Sequence, residues 1–61
     1  MVRYLTSVTV PGGAEYIEIA CVSTDTKPSG GNLATGSVAI EVDTGDIYMY
    51  NEASSTWVKQ N

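Results

Sequence analysis

Three carboxylates, those of Glu41, Asp43 and Asp46, lie close together in the sequence. Carboxylate oxygens are the ligands that hard cations such as Ca²⁺ prefer, so this cluster could in principle bind a metal ion. Its spacing does not match that of a calcium-binding loop, and the chain has no His to complete a Cys/His zinc site. We therefore interpret the cluster as a solvated acidic turn and predict neither a metal site nor a cofactor.

The tripeptide Asp43-Thr44-Gly45, preceded by Ile40 and Val42, matches the signature of aspartic proteases. In those enzymes one such Asp from each of two lobes shares a proton and activates water. They place a small residue after the glycine, whereas this chain has Asp46, and its 61 residues leave no room for flaps and a substrate cleft. Because Asp and Thr form turns and Gly tolerates positive φ, we interpret the tripeptide as a turn with Gly45 in the left-handed region, and we predict no catalytic residue and no enzyme.

Cys21 is the only cysteine, so the chain cannot form an internal disulfide. The alternation of its strand places it on an apolar face, and there is no His to activate it as a nucleophile. We predict a buried, inert thiol.

Tyr48, Tyr50 and Trp57 could form an aromatic platform for a sugar or a peptide. The alternative is that these rings pack in the core or at a contact between subunits. We favour packing, because aromatic side chains dominate the energetics of both.

The elements that position these residues follow from a period-two alternation, which is typical of β-strands. Strands are predicted from Tyr4 to Val10 and from Glu15 to about Val22, with a reversal at Pro11 to Ala14. If Gly12 and Gly13 form a two-residue loop, Val8 faces Ile17 and Thr6 faces Ile19. We prefer this register because it brings the apolar sides of both strands together.

Residues 23–36 are mostly small, polar and turn-forming, and they predict a loop of unusual length for so small a domain. Long loops of this kind are functional, disordered or held by a neighbour. Leu33 is an apolar residue that a free linker does not need, so we expect a neighbour to hold the loop.

Residues 37–50 predict a second hairpin, with Val38, Ile40 and Val42 on one face of its first strand. A type I turn at Asp43-Thr44 with Gly45 as bulge would put Tyr48 and Tyr50 beside Ile40 and Val38. A two-residue Thr44-Gly45 loop would instead put Ile47 and Met49 on that face. We prefer the first register, because a β-branched Thr disfavours positive φ.

The return strand, Ile47 to Tyr50, carries large apolar groups on both faces in either register. One short chain has too few residues to cover both, so a partner subunit is expected to do so. Thr56 to Gln60 predicts a third strand, and no segment has a helical period. The predicted assembly interface consists of Ile47, Tyr48, Met49, Tyr50 and Trp57.

Together these elements predict one small all-β domain spanning residues 1–61. It comprises an antiparallel sheet with an N-terminal hairpin (about 3–22), a long loop (23–36) and a C-terminal three-strand meander (37–60). A chain of this length buries only about 60% of its unfolded surface, so we expect homo-oligomerisation to complete the domain.

The net charge of −4, with only Arg3, Lys27 and Lys59 as basic residues, argues against nucleic-acid binding, which needs clustered cations. No apolar run has the roughly 18 residues of a membrane span, and no signal peptide is evident. From these patterns we expect a soluble protein made in the cytosol, with no membrane partner.

The motif Ser23 to Pro28, a Gly-rich spacer, Gly36-Ser37, then Glu41 to Gly45, Ile47 to Asn51 and Trp57-Val58 resembles small structural proteins of tailed bacteriophages. It is similar to head-decoration or head-fibre-like components, and hairpin-plus-Trp patterns of this kind recur in tail-fibre modules. The resemblance covers residues 23–60. One departure is Asp46, where such sequences are expected to carry a basic residue.

This resemblance implies a virion component, synthesised in the bacterial cytoplasm and assembled by symmetry with itself and with virion proteins such as a major capsid protein. It implies no catalytic residue. The alternative is a receptor- or glycan-binding module of a tail fibre that uses exposed aromatics.

Overall fold

The computed structural model describes all 61 residues as a single β-sheet without helices, which confirms the predicted all-β class. The strands are β1 (Arg3–Thr9), β2 (Glu15–Cys21), β3 (Val38–Glu41), β4 (Asp46–Asn51) and β5 (Thr56–Lys59). They are hydrogen-bonded in the order in which they occur along the chain. No helix long and apolar enough to cross a membrane is present.

The sheet is mixed, because β2 and β3 are parallel while the other three neighbouring pairs are antiparallel. We expected antiparallel pairs only, so this junction differs from the prediction. Parallel neighbours need a crossover connection of about a dozen residues or more. Here residues 22–37 provide it, and we call them the crossover loop. The unusual length of this segment is thus a requirement of the parallel pairing.

The predicted register of the first hairpin is wrong by one residue. Ser7 lies opposite Ile17, and Val8 lies opposite Tyr16. The Val10 amide donates to the Ala14 carbonyl at 2.8 Å, which closes a three-residue loop instead of the expected two-residue one. Pro11 is therefore part of the loop, and Val8 lies on the opposite face from Ile17.

The preferred register of the second hairpin is also wrong. Ile40 lies opposite Ile47 and Val38 opposite Met49, which is the side-chain arrangement of the alternative register. The connecting loop has four residues, 42–45, and the Gly45 amide donates to the Glu41 carbonyl at 2.8 Å. Gly45 has φ of +79°, as predicted for a left-handed position.

Side-chain hydrogen bonds explain why this four-residue loop forms. The Thr44 hydroxyl donates to a Glu41 carboxylate oxygen at 3.0 Å and accepts from the Asp46 amide at 3.2 Å. Hydroxyl groups of this kind stabilise turns by replacing backbone partners. Alternation alone cannot reveal such a contact, so it could not give the loop length.

The two faces of the sheet differ in what covers them. The crossover loop packs on one, the covered face, where Ile17, Ile19 and Ala39 form the buried core cluster. The strand registers place on the same face Cys21, Glu41, Tyr48, Tyr50 and Trp57. The open face consists of Arg3, Thr6, Val8, Tyr16, Glu18, Ala20, Val38, Ile40, Ile47, Met49, Asn51, Thr56 and Val58.

Replacing Gly45 with Ala is expected to destabilise the fold by about 1 kcal/mol or more, because an L side chain at positive φ is strained. A steric clash does not contribute, since no atom lies within 4 Å of an added Cβ. The loss is measured as a lower urea midpoint.

Gly45→Asn is the matched control, because Asn adopts the left-handed region more readily than Ala. It should retain more stability than Gly45→Ala. Equal losses for both variants would show that backbone strain is not the cause.

Candidate functional site

The three carboxylates of the acidic cluster each have a separate partner. Glu41 pairs with Lys27, Asp43 accepts hydrogen bonds from Ser23, and Asp46 lies 3.5 Å from the Lys59 ammonium. No group of three or more His, Cys, Asp or Glu residues is placed to hold a metal ion, and the structure contains no pocket. The three carboxylates are close in the sequence, but their oxygens do not converge on one point in the structure.

Asp43, the residue of the protease-like tripeptide, connects the hairpin loop to the beginning of the crossover loop. Its carboxylate accepts from the Ser23 hydroxyl at 2.7 Å and from the Ser23 amide at 2.9 Å. The hydroxyl contact is the main reason that the pKa of Asp43 is lowered, and burial opposes it more weakly. The sequence predicts Asp43 in a turn, but it carries no signal for a contact with a residue twenty positions away.

Lys27 of the crossover loop forms an ion pair with Glu41 of β3. The Lys27 Nζ lies 2.5 Å from Glu41 Oε2, and the two side chains are only 14% and 6% exposed. The ammonium also lies 4.3 Å from the centroid of the Tyr48 ring, within the range of a cation–π interaction. Burial lowers the pKa of Lys27, but the hydrogen bond and charge of Glu41 outweigh it, so the pKa is raised. The raised pKa keeps Lys27 charged, and its contact with Glu41 attaches the crossover loop to β3.

Cys21 is buried, as predicted, with 2% of its surface exposed. Burial raises the pKa of its thiol, and the nearby Lys27 charge opposes this only in part. A raised pKa disfavours the reactive thiolate.

The aromatic rings do not form an open platform. Tyr50 is 3% exposed and packs edge-to-face on Trp57, with ring centroids 5.2 Å apart. Their polar tips hold the crossover loop, since the Tyr50 hydroxyl accepts from the Gly30 amide at 2.9 Å and the Trp57 Nε1 donates to the Pro28 carbonyl at 2.6 Å. The interpretation of these rings as packed residues therefore agrees with their environment.

The loop is thus held by its own chain. Leu33 packs against the core cluster, and the Ser37 hydroxyl accepts from the Ile17 amide at 3.1 Å. The sequence predicts that a neighbour holds the crossover loop, whereas residues of the same domain hold it in the structure.

The predicted assembly interface is divided between the two faces. Tyr48, Tyr50 and Trp57 lie on the covered face, whereas Ile47 and Met49 lie on the open face and are 40% and 37% exposed. The structure adds two neighbours that sequence reasoning did not include, Ile40 at 36% and Val58 at 44%. The alternation of Ile40 and Val58 with buried residues can be seen in the sequence. The strand register that places them beside Ile47 and Met49 cannot.

This apolar part of the open face is the strongest candidate for a functional surface. Comparison with known proteins gives no further guide, since no family model, no curated protein and no solved structure matches the chain.

Tyr50→Phe is expected to destabilise the fold by about 1 kcal/mol, because the Gly30 amide loses its hydrogen-bond partner while the ring stays in place. Tyr4→Phe is the matched control, since it removes the same group from a ring that is 54% exposed, and should change stability little. Urea unfolding measures both, and equal effects would contradict a role of the Tyr50 hydroxyl in holding the loop.

Asp43 is expected to make stability acid-sensitive. Its folded-state pKa is lowered from the ordinary value of 3.8, so its contribution is fully present above that pH and is lost as the pH falls through the folded value. Both Asp43→Asn and Ser23→Ala should flatten the fall in stability below pH 3.8, the first by removing the titrating group and the second its hydroxyl donor.

Thermal unfolding monitored by circular dichroism over this pH range provides the measurement. An unchanged acid dependence in Asp43→Asn would rule out this assignment.

Proposed function

We propose that this protein is a non-enzymatic structural component of a tailed-bacteriophage particle, which it decorates or stabilises by symmetric assembly. The observation that carries the proposal is the open face, a sheet surface with exposed Ile40, Ile47, Met49 and Val58 in a 61-residue chain. Contiguous exposed apolar surface of this kind marks interaction sites in soluble proteins.

The resemblance to phage structural proteins supports the same surface. It covers residues 23–60, which include all but the first residue of the crossover loop and the whole of strands β3, β4 and β5. Those three strands supply all four of the exposed apolar residues just named. The departure at Asp46 is compatible with the proposal, because Asp46 pairs with Lys59 of the same chain.

The partners that we propose are further copies of the chain and virion proteins such as a major capsid protein, and the proposed location is the virion. A receptor- or glycan-binding module is the less favoured alternative. It would use exposed aromatic rings, whereas Tyr50 is buried and the polar tip of Trp57 is engaged by Pro28.

The proposal predicts that the chain is present in purified particles of the phage that encodes it. Particles would be separated on a density gradient and their proteins quantified by mass spectrometry. The chain should migrate with the particles in a fixed ratio to the major capsid protein, because symmetric assembly fixes stoichiometry. A soluble enzyme encoded by the same phage is the control and should remain at the top of the gradient. Recovery of the chain with that enzyme, and none in the particles, would contradict the proposal.

A further inference from the structure

We propose that the open face packs against the open face of a second copy of this chain, so that two sheets stack as a two-layer dimer. This inference rests on the proposed function in so far as the open face is the assembly surface, and it names the partner of that surface.

The apolar surface is continuous across three strands. Ile40 lies opposite Ile47, and Met49 lies opposite both Val38 and Val58. Side chains that are paired across neighbouring strands share a face of the sheet. The exposed positions thus form one patch without a charged residue inside it.

The dimensions of the domain fit a stable dimer. The whole domain extends 33 × 21 × 17 Å, so the outline of its broadest side is at most about 700 Å². A standard protein interface buries about 800 Å² on each partner. A contact centred on the open face can therefore approach the standard size, and a second copy supplies a surface of the same size and shape.

Charge also favours a second copy. The chain has a net charge of −4, but the open face carries only one acid and one base, Glu18 and Arg3. Two open faces can therefore approach without the repulsion that the whole-chain charge would suggest. A strongly charged partner finds no complementary patch on this surface.

Part of the polar surface of the open face already has partners. The Tyr16 hydroxyl donates to the Glu18 carboxylate at 2.7 Å, so these two polar groups satisfy each other. The other polar side chains of the face, Arg3, Thr6, Asn51 and Thr56, lie outside the patch of Ile40, Ile47, Met49 and Val58. Burying a polar group without a partner is costly, and a contact centred on that patch avoids much of this cost.

Stacking of faces is favoured over pairing of edges. β1 is a free edge strand with every residue exposed, but its ladder is irregular between Tyr4 and Thr6. An edge-to-edge dimer through β1 would leave Ile40, Ile47 and Met49 in water. Sheets stacked face to face bury such residues between two layers about 10 Å apart.

Sedimentation equilibrium of the full chain in the micromolar range tests the inference. A dimer is expected for the wild type, and Met49→Lys should weaken it about a hundredfold or more, because each dimer would bury two ammonium groups. Tyr4→Lys is the matched control. It adds the same charge at an exposed apolar residue that pairs with Ile19, on the other face, and should leave the dimer intact.

Folding is monitored in parallel, so that an unfolded variant is not mistaken for a dissociated one. Val58→Thr keeps the β-branched shape and should weaken association by about tenfold while circular dichroism remains that of the wild type. The melting temperature of the wild type should also rise with protein concentration. A folded monomer with a melting temperature independent of concentration would overturn the inference.

Cross-linking identifies the surfaces that meet. The native Cys21 is buried, so a bis-maleimide that spans about 10 Å should link Met49→Cys chains and leave Tyr4→Cys chains unlinked. Linking of Tyr4→Cys alone would overturn face-to-face packing in favour of edge pairing.

These results are separable from those for the proposed function. A monomer that is nevertheless found in phage particles would overturn the dimer and leave the proposed function standing. A dimer that is absent from particles would overturn the proposed function and leave the dimer standing.

Discussion

The parallel pairing of β2 with β3 is the constraint on which the rest of the structure depends. It requires the chain to leave one end of the sheet and return at the other, and residues 22–37 do so without a helix. An irregular crossover has unpaired backbone groups that must find partners when they are buried. The Tyr50 hydroxyl is such a partner for the Gly30 amide, the Trp57 indole for the Pro28 carbonyl, and the Ser37 hydroxyl for the Ala34 carbonyl. Most of the long-range polar contacts in the domain therefore serve one loop.

This constraint explains why the side chains at two of the five aromatic positions, Tyr50 and Trp57, have polar tips. The chain has four Tyr, one Trp and no Phe. A crossover helix would satisfy its own backbone, and apolar rings would suffice beneath it. Under an irregular loop, rings with polar tips can pack through their faces and bond the loop through their ends, as Tyr50 and Trp57 do. The ion pair of Lys27 with Glu41 belongs to the same set of attachments, and breaking one partner of such a buried pair leaves the other uncompensated.

The sequence predicts the strands well and their alignment poorly, and the reason is physical. Alternation along Glu15–Cys21 and Asp46–Asn51 depends only on local side-chain periodicity. Register depends on loop length, which is set by contacts such as the hydrogen bonds of Thr44 and the inclusion of Pro11 in the first loop. The parallel pairing of β2 with β3 is harder still to predict, because the usual sequence signal for parallel strands is a helix between them. The division of the interface residues between two faces follows from register and could not be predicted without it.

Coverage of one face has an energetic consequence for the other. A single irregular loop provides one layer, and only 8 of 61 residues are buried, which leaves a small core to offset the entropy of folding. Tyr50 belongs to that core and Tyr48 packs against it, so the apolar side chains that alternate with them, Ile47 and Met49, must point to the uncovered side. Apolar side chains exposed in this way stabilise a lone domain little, but they stabilise an assembly in proportion to the apolar area that association buries. The proposed association would link folding to binding thermodynamically, because a partner that binds only the folded chain shifts the folding equilibrium toward it.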